Sequence, residues 1–422
     1  MAKHLYYIEE LTTEGSQQAI TFSKTSENVD SRVIRIEKIS KLDADSIEKG
    51  ELLNTESNQF HIPITTDDDS LWYQDRFIVS DKTHMESMDD LENAKPGGLH
   101  EYAIQIRNAI RKKNKDIQGY STLLGNANSS KLVTKVSWYM CALNVGHGDC
   151  TVIVSPERKT YVVDFGYTNQ NADKKLSLFW DYLNRTHNLN VRKEISGFFI
   201  SHADRDHYGG FVQMFSNISK SRDCFLLYNY LGIYGGKNWA NTLNFISREV
   251  SSGQIRLITI PNSSSGQSLI NLIPGLQLNY LWPFSNSPHK FCISHVSKNN
   301  SSVSFMLSDQ SGIRTNFVGD IEQFTWDQIL NTPVNMKLFK NYRGCNFKYS
   351  HHARTTGNYF NRGISLNHAL KKSMQHVVAS TALSLGHPSL CSSVQLRDVT
   401  FSSPIGIVYE FCPNGSINRQ AI

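Results

Sequence analysis

The pattern of apolar and polar positions changes near Val136. Before it, polar stretches such as "TTDDDS", "SMDDLENAKPGG" and "LLGNANSSK" separate short strand-like pieces, "SRVIRIEKI" and "RFIVS" among them. Only "LHEYAIQIRNAIRKKNKD" reads as a helix there, with Tyr102, Ile106 and Ile110 at helical spacing. After Val136 the apolar runs are denser. "VSWYMCALNVGHGDCTVIVSP" and "TYVVDFG" are β-branched and aromatic strands parted by glycine- and proline-bearing turns. "KKLSLFWDYLNRTHN" is an amphipathic helix, "EISGFFIS" a buried strand, and "GGFVQMFSNI" the start of another helix. Strands and helices then alternate, through "CFLLYNYL", "NTLNFISREV", "IRLITI", "LQLNYLW", "SVSFMLS", "RTNFVGD", "FTWDQIL", "HVVASTALSLG" and "IGIVYEF". Such order predicts sheets covered by helices, with reactive groups on loops at strand ends. The change of style predicts a small accessory domain over 1–135, of unassigned role, and a larger domain over 136–422. "NANSSK" is the candidate linker, and no internal repeat is found.

Composition narrows the classes. The chain has 422 residues, enough for one large core and a smaller unit. It is 39% hydrophobic and 19% charged, ordinary for a globular protein, and no apolar run approaches a membrane span. The opening "MAKHLYYIEELTTEG" carries acidic residues where a signal peptide needs an apolar stretch. A cytoplasmic protein with no membrane partner is therefore expected. The seven cysteines are scattered, odd in number and never spaced C-x-x-C, which argues against a disulfide framework or a cysteine zinc site. The net charge of +5 permits an anionic substrate without demanding one. Arg107, Arg111, Lys112, Lys113 and Lys115 concentrate cations in the C-terminal half of the helix that precedes the linker. They read either as a solvated helix end, favoured by the macrodipole, or as a contact to nucleic-acid phosphates.

The chemistry lies in "SHADRDHYGG", directly after a buried strand. His202, Asp204, Asp206 and His207 stand at i, i+2, i+4 and i+5, a spacing that lets a turn converge them on one point. Imidazole nitrogen and carboxylate oxygen both suit borderline or hard divalent metals. Without a cation, clustered carboxylates repel. The glycine pair lets the backbone approach closely before the next helix.

These residues resemble the metal-binding signature of the metallo-β-lactamase fold, in the His-x-Asp-x-Asp-His form of ComEC-like hydrolase domains. Other segments share the resemblance in the same order. "LNVGHGDCTVIVSPERKTYVVDFG" is similar to the opening hairpin and places Gly146, Gly148, Asp149, Asp164 and Gly166. "KNNSSVSFML" resembles the Asn-x-x-Ser strand. "FVGD" resembles the Gly-Asp turn and places Asp320. "YSHHART" resembles the His-His-Gly loop, with Ala353 where glycine is usual. "LGHPS" resembles the terminal His-Pro loop and places His387. The resemblance spans about 137–415 and leaves the N-terminal third uncovered. It implies an αββα sandwich, two mixed sheets flanked by helices, preceded by a small α+β domain. It also implies a two-metal layout. His202 and Asp204 lie at the first metal, Asp206 and His207 at the second, Asp320 bridges, and His352, with His351 as the alternative, completes the second. The further first-metal histidine usual in this fold has no match, since only His289 and His295 lie between the signature and Asp320. Asp149 is expected to tie its turn and Asp164 to brace the signature loop. His147 is expected to be an exposed rim residue, and His387 to donate a proton or grip a phosphate oxygen.

The implied reaction is metal-assisted hydrolysis, with Mn²⁺ or Zn²⁺ as the expected ions and Mg²⁺ compatible, because Asp204 makes the site richer in oxygen. Asp206 is expected to orient the attacking water. The subgroup and the mild positive charge point to a phosphodiesterase or nuclease acting on DNA or RNA, in defence or DNA processing. A protein partner for the N-terminal region is compatible with this reading. Two other classes stay open. One is a small-molecule hydrolase for a lactone or cyclic nucleotide, with a narrow pocket lined from "CFLLYNYLGIYGG" and "YLWPF". The other is a non-catalytic metal-binding module.

Overall fold

The computed structural model describes residues 109–120, 136–166, 171–229, 237–258, 272–283, 301–321 and 403–422, less positions 111, 147 and 313. It also describes parts of 323–338 and the backbone of the further strands named here. The first six strands are β1 (His4–Glu14), β2 (Gln17–Lys24), β3 (Val33–Ser40), β4 (Leu52–Thr55), β5 (Leu71–Tyr73) and β6 (Asp81–Thr83). They form one sheet of order β5-β3-β2-β1-β4-β6. The "RFIVS" strand expectation lies outside the described residues.

A second sheet has eight strands in the order β12-β11-β10-β9-β8-β7-β20-β21. These are β7 (Trp138–Leu143), β8 (Thr151–Val154), β9 (Thr160–Val163), β10 (Glu194–Ile200), β11 (Ser219–Tyr228), β12 (Arg256–Ile258), β20 (Gly406–Phe411) and β21 (Ile417–Ala421). The third sheet runs β13 (Ser268–Ile270), β14 (Gln277–Trp282), β15 (Ser304–Ser308), β16 (Arg314–Phe317), β17 (Cys345–Lys348), β18 (Met374–Ala379) and β19 (Asp398–Val399). Both are mixed. In the second, β9 to β12 run parallel and β7, β8, β20 and β21 antiparallel. In the third, β13 to β16 are antiparallel and β16 to β19 parallel.

Period-two alternation explains why β7 is apolar throughout. Tyr139, Cys141 and Leu143 enter one core, while Trp138, Met140 and Ala142 enter another. β10 and β11 divide likewise: Phe198, Ile200, Leu226 and Tyr228 face one way, Phe199, Phe225 and Leu227 the other. The second core also takes Leu278, Tyr280, Phe305, Leu307 and Phe317, so it fills the space between the two large sheets. Phe199 and Phe305 meet across it with ring centroids 4.9 Å apart. The first core is closed by helices: α2 (Ala172–Thr186), α4 (Phe211–Asn217) and α5 (Lys237–Ser251). α2 presents Leu176, Phe179, Trp180 and Leu183 at helical spacing. This is the expected architecture of two mixed sheets with helices outside.

Residues 112–118, here α1, are helical, and Ile110 and Ile117 are buried in the same core as α2 and α5. Gln323–Leu330 forms α6, with Trp326 and Ile329 buried. Among the described residues no helix is long and apolar enough to cross a membrane.

Candidate metal centre

β10 ends at Ile200, and its parallel neighbours β9 and β11 end beside it. The segment after it lies at the carboxyl end of the parallel strands, where open α/β sheets place their ligand sites. Asp204 caps the short helix α3 (Arg205–Tyr208), its carboxylate accepting the Arg205 N–H at 2.9 Å. The opening hairpin then clasps this turn through backbone bonds. Asp149 N–H donates to Asp206 O (3.0 Å), Phe165 N–H to His207 O (2.6 Å), and Gly210 N–H to Gly166 O (2.8 Å). The approach is so close that a Cβ on Gly148 would sit 2.7 Å from Asp206 O.

The protons of the two histidines follow from Ser201. Its hydroxyl and amide both lie 2.8 Å from the Asp164 carboxylate, which only accepts. The single hydroxyl proton is therefore spent on Asp164. Ser201 Oγ must then accept from His202 Nδ1, 3.0 Å away. His207 Nδ1 lies 2.9 Å from Asp164 Oδ2 and must donate too. In the neutral form both rings thus carry their lone pair on Nε2. Asp164 holds this post with φ of 57°, a left-handed conformation that aspartate tolerates better than most residues.

The third sheet brings the opposing carboxylate. Val303 N–H donates to Ser201 O (2.7 Å), joining the strand start to the site turn. Ser302 Oγ accepts the Asp320 N–H at 3.2 Å. Gly319 turns the chain with φ of 56°, and a Cβ there would meet Ser201 Cβ and Ser302 Oγ at 2.8 Å. Asp320 Oδ1 consequently stands 3.2 Å from His207 Nε2. The rings of His202 and His207 are 4.2 Å apart, centroid to centroid. One donor atom from each of His202, His207 and Asp320 falls within 4.8 Å of the other two.

Asp149, Asp164, Asp204, Asp206, Asp320, His202 and His207 are all buried. Burying so many carboxylates is costly unless cations and hydrogen bonds compensate. Burial disfavours the His207 cation, but Asp320, Asp164 and Asp206 outweigh it and hold that imidazole well above its ordinary range. Metal-free, Nδ1 lies against Asp164 Oδ2 and Nε2 forms an ion-pair contact with Asp320 Oδ1 at 3.2 Å. A divalent ion would take the place of the Nε2 proton. Two Nε2 lone pairs and a carboxylate are a suitable donor set for such an ion, so the residues fit the implied metal. Asp149, Asp164 and His207 also converge within 4.8 Å. There, however, His207 offers only its protonated Nδ1, so that group is the brace and not the ligand set.

The expected site residues divide as follows. His202, His207 and Asp320 come together, and Asp164 and Asp149 lie behind them. Asp204 and Asp206 sit in the same buried turn but join no convergent group of three among the described residues. Asp204 acts as a helix cap and Asp206 gives its carbonyl to Asp149. His147, His289, His295, His351, His352, His387, Arg107 and Arg111 lie outside the described residues. Ser201 and Ser302 were not singled out in the sequence. Their only signal is adjacency, Ser201 before the first histidine and Ser302 within "NNSSVS".

A pocket opens beside His202, lined by Tyr228, Asn229, Trp239 and Ser301. Asn229 donates to Ser301 O at 2.8 Å, tying the end of β11 to the third sheet. The Tyr228 hydroxyl donates to Asn114 Oδ1 at 3.0 Å, so a residue of α1 supports this wall.

Fold and site together define a class: a mixed α/β sandwich with a buried histidine–aspartate centre at the carboxyl end of a central strand. No family model matches the chain, and no curated protein matches it. Solved structures similar to it include a diphosphatase of the PhnP family (12% identity, 68% of this chain and 99% of that one, TM-score 0.34). They also include a metallo-β-lactamase from Hirschia baltica (13% identity, 48% and 73%, TM-score 0.24). A third is the metallo-β-lactamase FIM-1 from Pseudomonas aeruginosa in its mono-zinc form (10% identity, 54% and 88%, TM-score 0.27).

Proposed function

We propose that the protein is a metal-dependent hydrolase of phosphodiesters, acting on DNA or RNA as a nuclease. The observation that carries this reading is the buried convergence of His202, His207 and Asp320, with both imidazoles fixed as Nε2 donors by Ser201 and Asp164. His202, His207 and Asp320 would hold the ion. A divalent metal bound there supplies Lewis-acid polarisation of the scissile group and acidifies an attacking water. Asp164 and Ser201 keep the ring tautomers and orientations. Asp206, buried beside His207, is the group proposed to orient the attacking water. His352 (alternatively His351) and His387 keep their roles as a further ligand and as a proton donor or phosphate contact.

A small-molecule substrate is the second reading, favoured by the aromatic pocket beside His202, whose wall residues Tyr228 and Asn229 come from the segment expected to line one. One assay separates the two. Metal-stripped protein is reloaded with Mn²⁺ or Zn²⁺ and offered single-stranded DNA, duplex DNA, RNA, bis(p-nitrophenyl) phosphate, a cyclic nucleotide and a lactone. Metal-dependent cleavage of a polynucleotide supports the first reading. Cleavage of a lactone or cyclic nucleotide, with no polynucleotide cut, supports the second. Inertness of the reloaded protein to all of them overturns both.

A further inference from the structure

We infer that α1 is a strand-holding element of the site, anchored by Asn114 to the pocket wall and presenting Lys112, Lys113 and Lys115 to a polyanionic nucleic-acid strand. The inference rests on the phosphodiesterase reading and names the surface that would make the substrate a polymer.

Three observations carry it. First, α1 is docked. Ile110, Asn114 and Ile117 are buried at i, i+4 and i+7, so one face of the helix belongs to the helix-side core. Second, the docking point is at the site. The polar member of that stripe, Asn114, accepts the hydroxyl of Tyr228, and Tyr228 shares the pocket with His202. A buried Asn–Tyr pair is specific in direction and position, because a mismatch would leave a desolvated polar group without its bond. Third, the faces left outward are cationic. Lys112 and Lys115 are exposed and Lys113 is half-buried at the flank, with Asp116 the one acidic residue among positions 112–118.

Cations set beside a buried carboxylate-rich centre answer a question the centre leaves open. A phosphodiester strand meets repulsion from buried aspartates unless neighbouring positive charge holds its other phosphates. Lysines one helix away from the pocket neutralise phosphates on either side of the reacting one. Each such contact releases counterions and makes binding salt-dependent. A lone small phosphodiester has no flanking phosphates to offer them.

The test uses the full chain and a fluorescein-labelled 20-nucleotide single-stranded DNA, with binding measured across salt concentrations in chelator so that nothing is cut. The variant is K112Q/K113Q/K115Q, and folding is checked by circular dichroism. The control is R192Q/R222Q/R256Q, which removes as many cations from the amino-terminal ends of β10, β11 and β12, the opposite end of that sheet. Loss of three phosphate contacts should flatten the slope of log Kd against log salt by about 2, at about 0.7 per phosphate for single strands. The control variant should keep the wild-type slope. Equal slopes for wild type and the lysine variant would overturn the inference, as would a wild type that binds no oligonucleotide. Both proteins are also sedimented with vesicles of phosphatidylcholine and phosphatidylserine, and a loss confined to vesicle binding would overturn the inference in favour of a membrane surface. Failure of the phosphodiesterase reading shows separately, as an inert metal-loaded wild type on bis(p-nitrophenyl) phosphate, whatever the slopes.

Discussion

Asp164→Asn isolates the brace behind the candidate centre. Asparagine fits the backbone here, because φ of 57° lies in the left-handed region where Asn is enriched. Its volume is nearly unchanged. Its amide oxygen can still accept the Ser201 N–H, as Asp164 Oδ1 does at 2.8 Å. The other oxygen, however, becomes an NH₂. That group would face two donors, the Ser201 hydroxyl at 2.8 Å and His207 Nδ1–H at 2.9 Å. The conflict is relieved only if His207 moves its proton from Nδ1 to Nε2, which removes the lone pair a metal needs. Ser201, released from its acceptor, no longer dictates the His202 tautomer. Loss of an outer partner of a ligating histidine typically costs 10–100-fold in metal affinity, about 1.4–2.8 kcal/mol. We expect a drop at the upper end, since one carboxylate sets both rings. Competition with a chromophoric chelator reads the affinity, and circular dichroism reports whether the fold is kept. A folded Asp164→Asn protein binding metal within twofold of wild type would refute the tautomer argument.

Three further perturbations test separate links. Ser201→Ala keeps Asp164 but removes the acceptor of His202 Nδ1; metal affinity should fall roughly 10-fold, read by the same competition. Gly319→Ala forces a Cβ to within 2.8 Å of Ser201 and Ser302 at positive φ. It should cost about 1–3 kcal/mol in denaturant unfolding, and an unchanged midpoint would show that the turn is not constrained. Glu410 gives the pH test. Burial opposes its charge, but hydrogen bonds from Asn418 and Tyr139, together with the charge of His187, hold its carboxyl below the usual range. Its stabilisation is therefore present above the unfolded carboxyl pKa and is lost as pH falls through the folded value. Glu410→Gln should flatten the acid limb of the melting-temperature profile, and a profile parallel to wild type would remove Glu410 as its source.

Much of the architecture is legible in the chain because its signals are local. The continuous apolar runs of β7 and β10 mark strands buried on both faces. What they leave undecided is which side chains face the helices and which the other sheet, since that depends on register between strands far apart in sequence. The candidate centre is half local. His202 and His207 share one turn, whereas Asp164 and Asp320 enter through their resemblance to known motifs. Ser201 is invisible as a determinant, because a serine before a histidine is common and its role depends on a carboxylate 37 positions away. α1 shows another limit. Its apolar spacing through Ile106 and Ile110 predicts the helix, but the inward stripe continues through the polar Asn114. Only the Tyr228 hydroxyl, 114 positions on, explains that residue.

The central claim is that His202, His207 and Asp320 hold a divalent ion through Nε2, Nε2 and carboxylate, with Asp164 and Ser201 bonded to the opposite side of the rings. Anomalous diffraction from crystals grown with Zn²⁺ or Mn²⁺ tests it most directly. An anomalous peak is expected about 2.0–2.3 Å from those three atoms, with Asp164 still against His207 Nδ1. Metal bound elsewhere, or a His207 whose Nδ1 carries the ion, would contradict it.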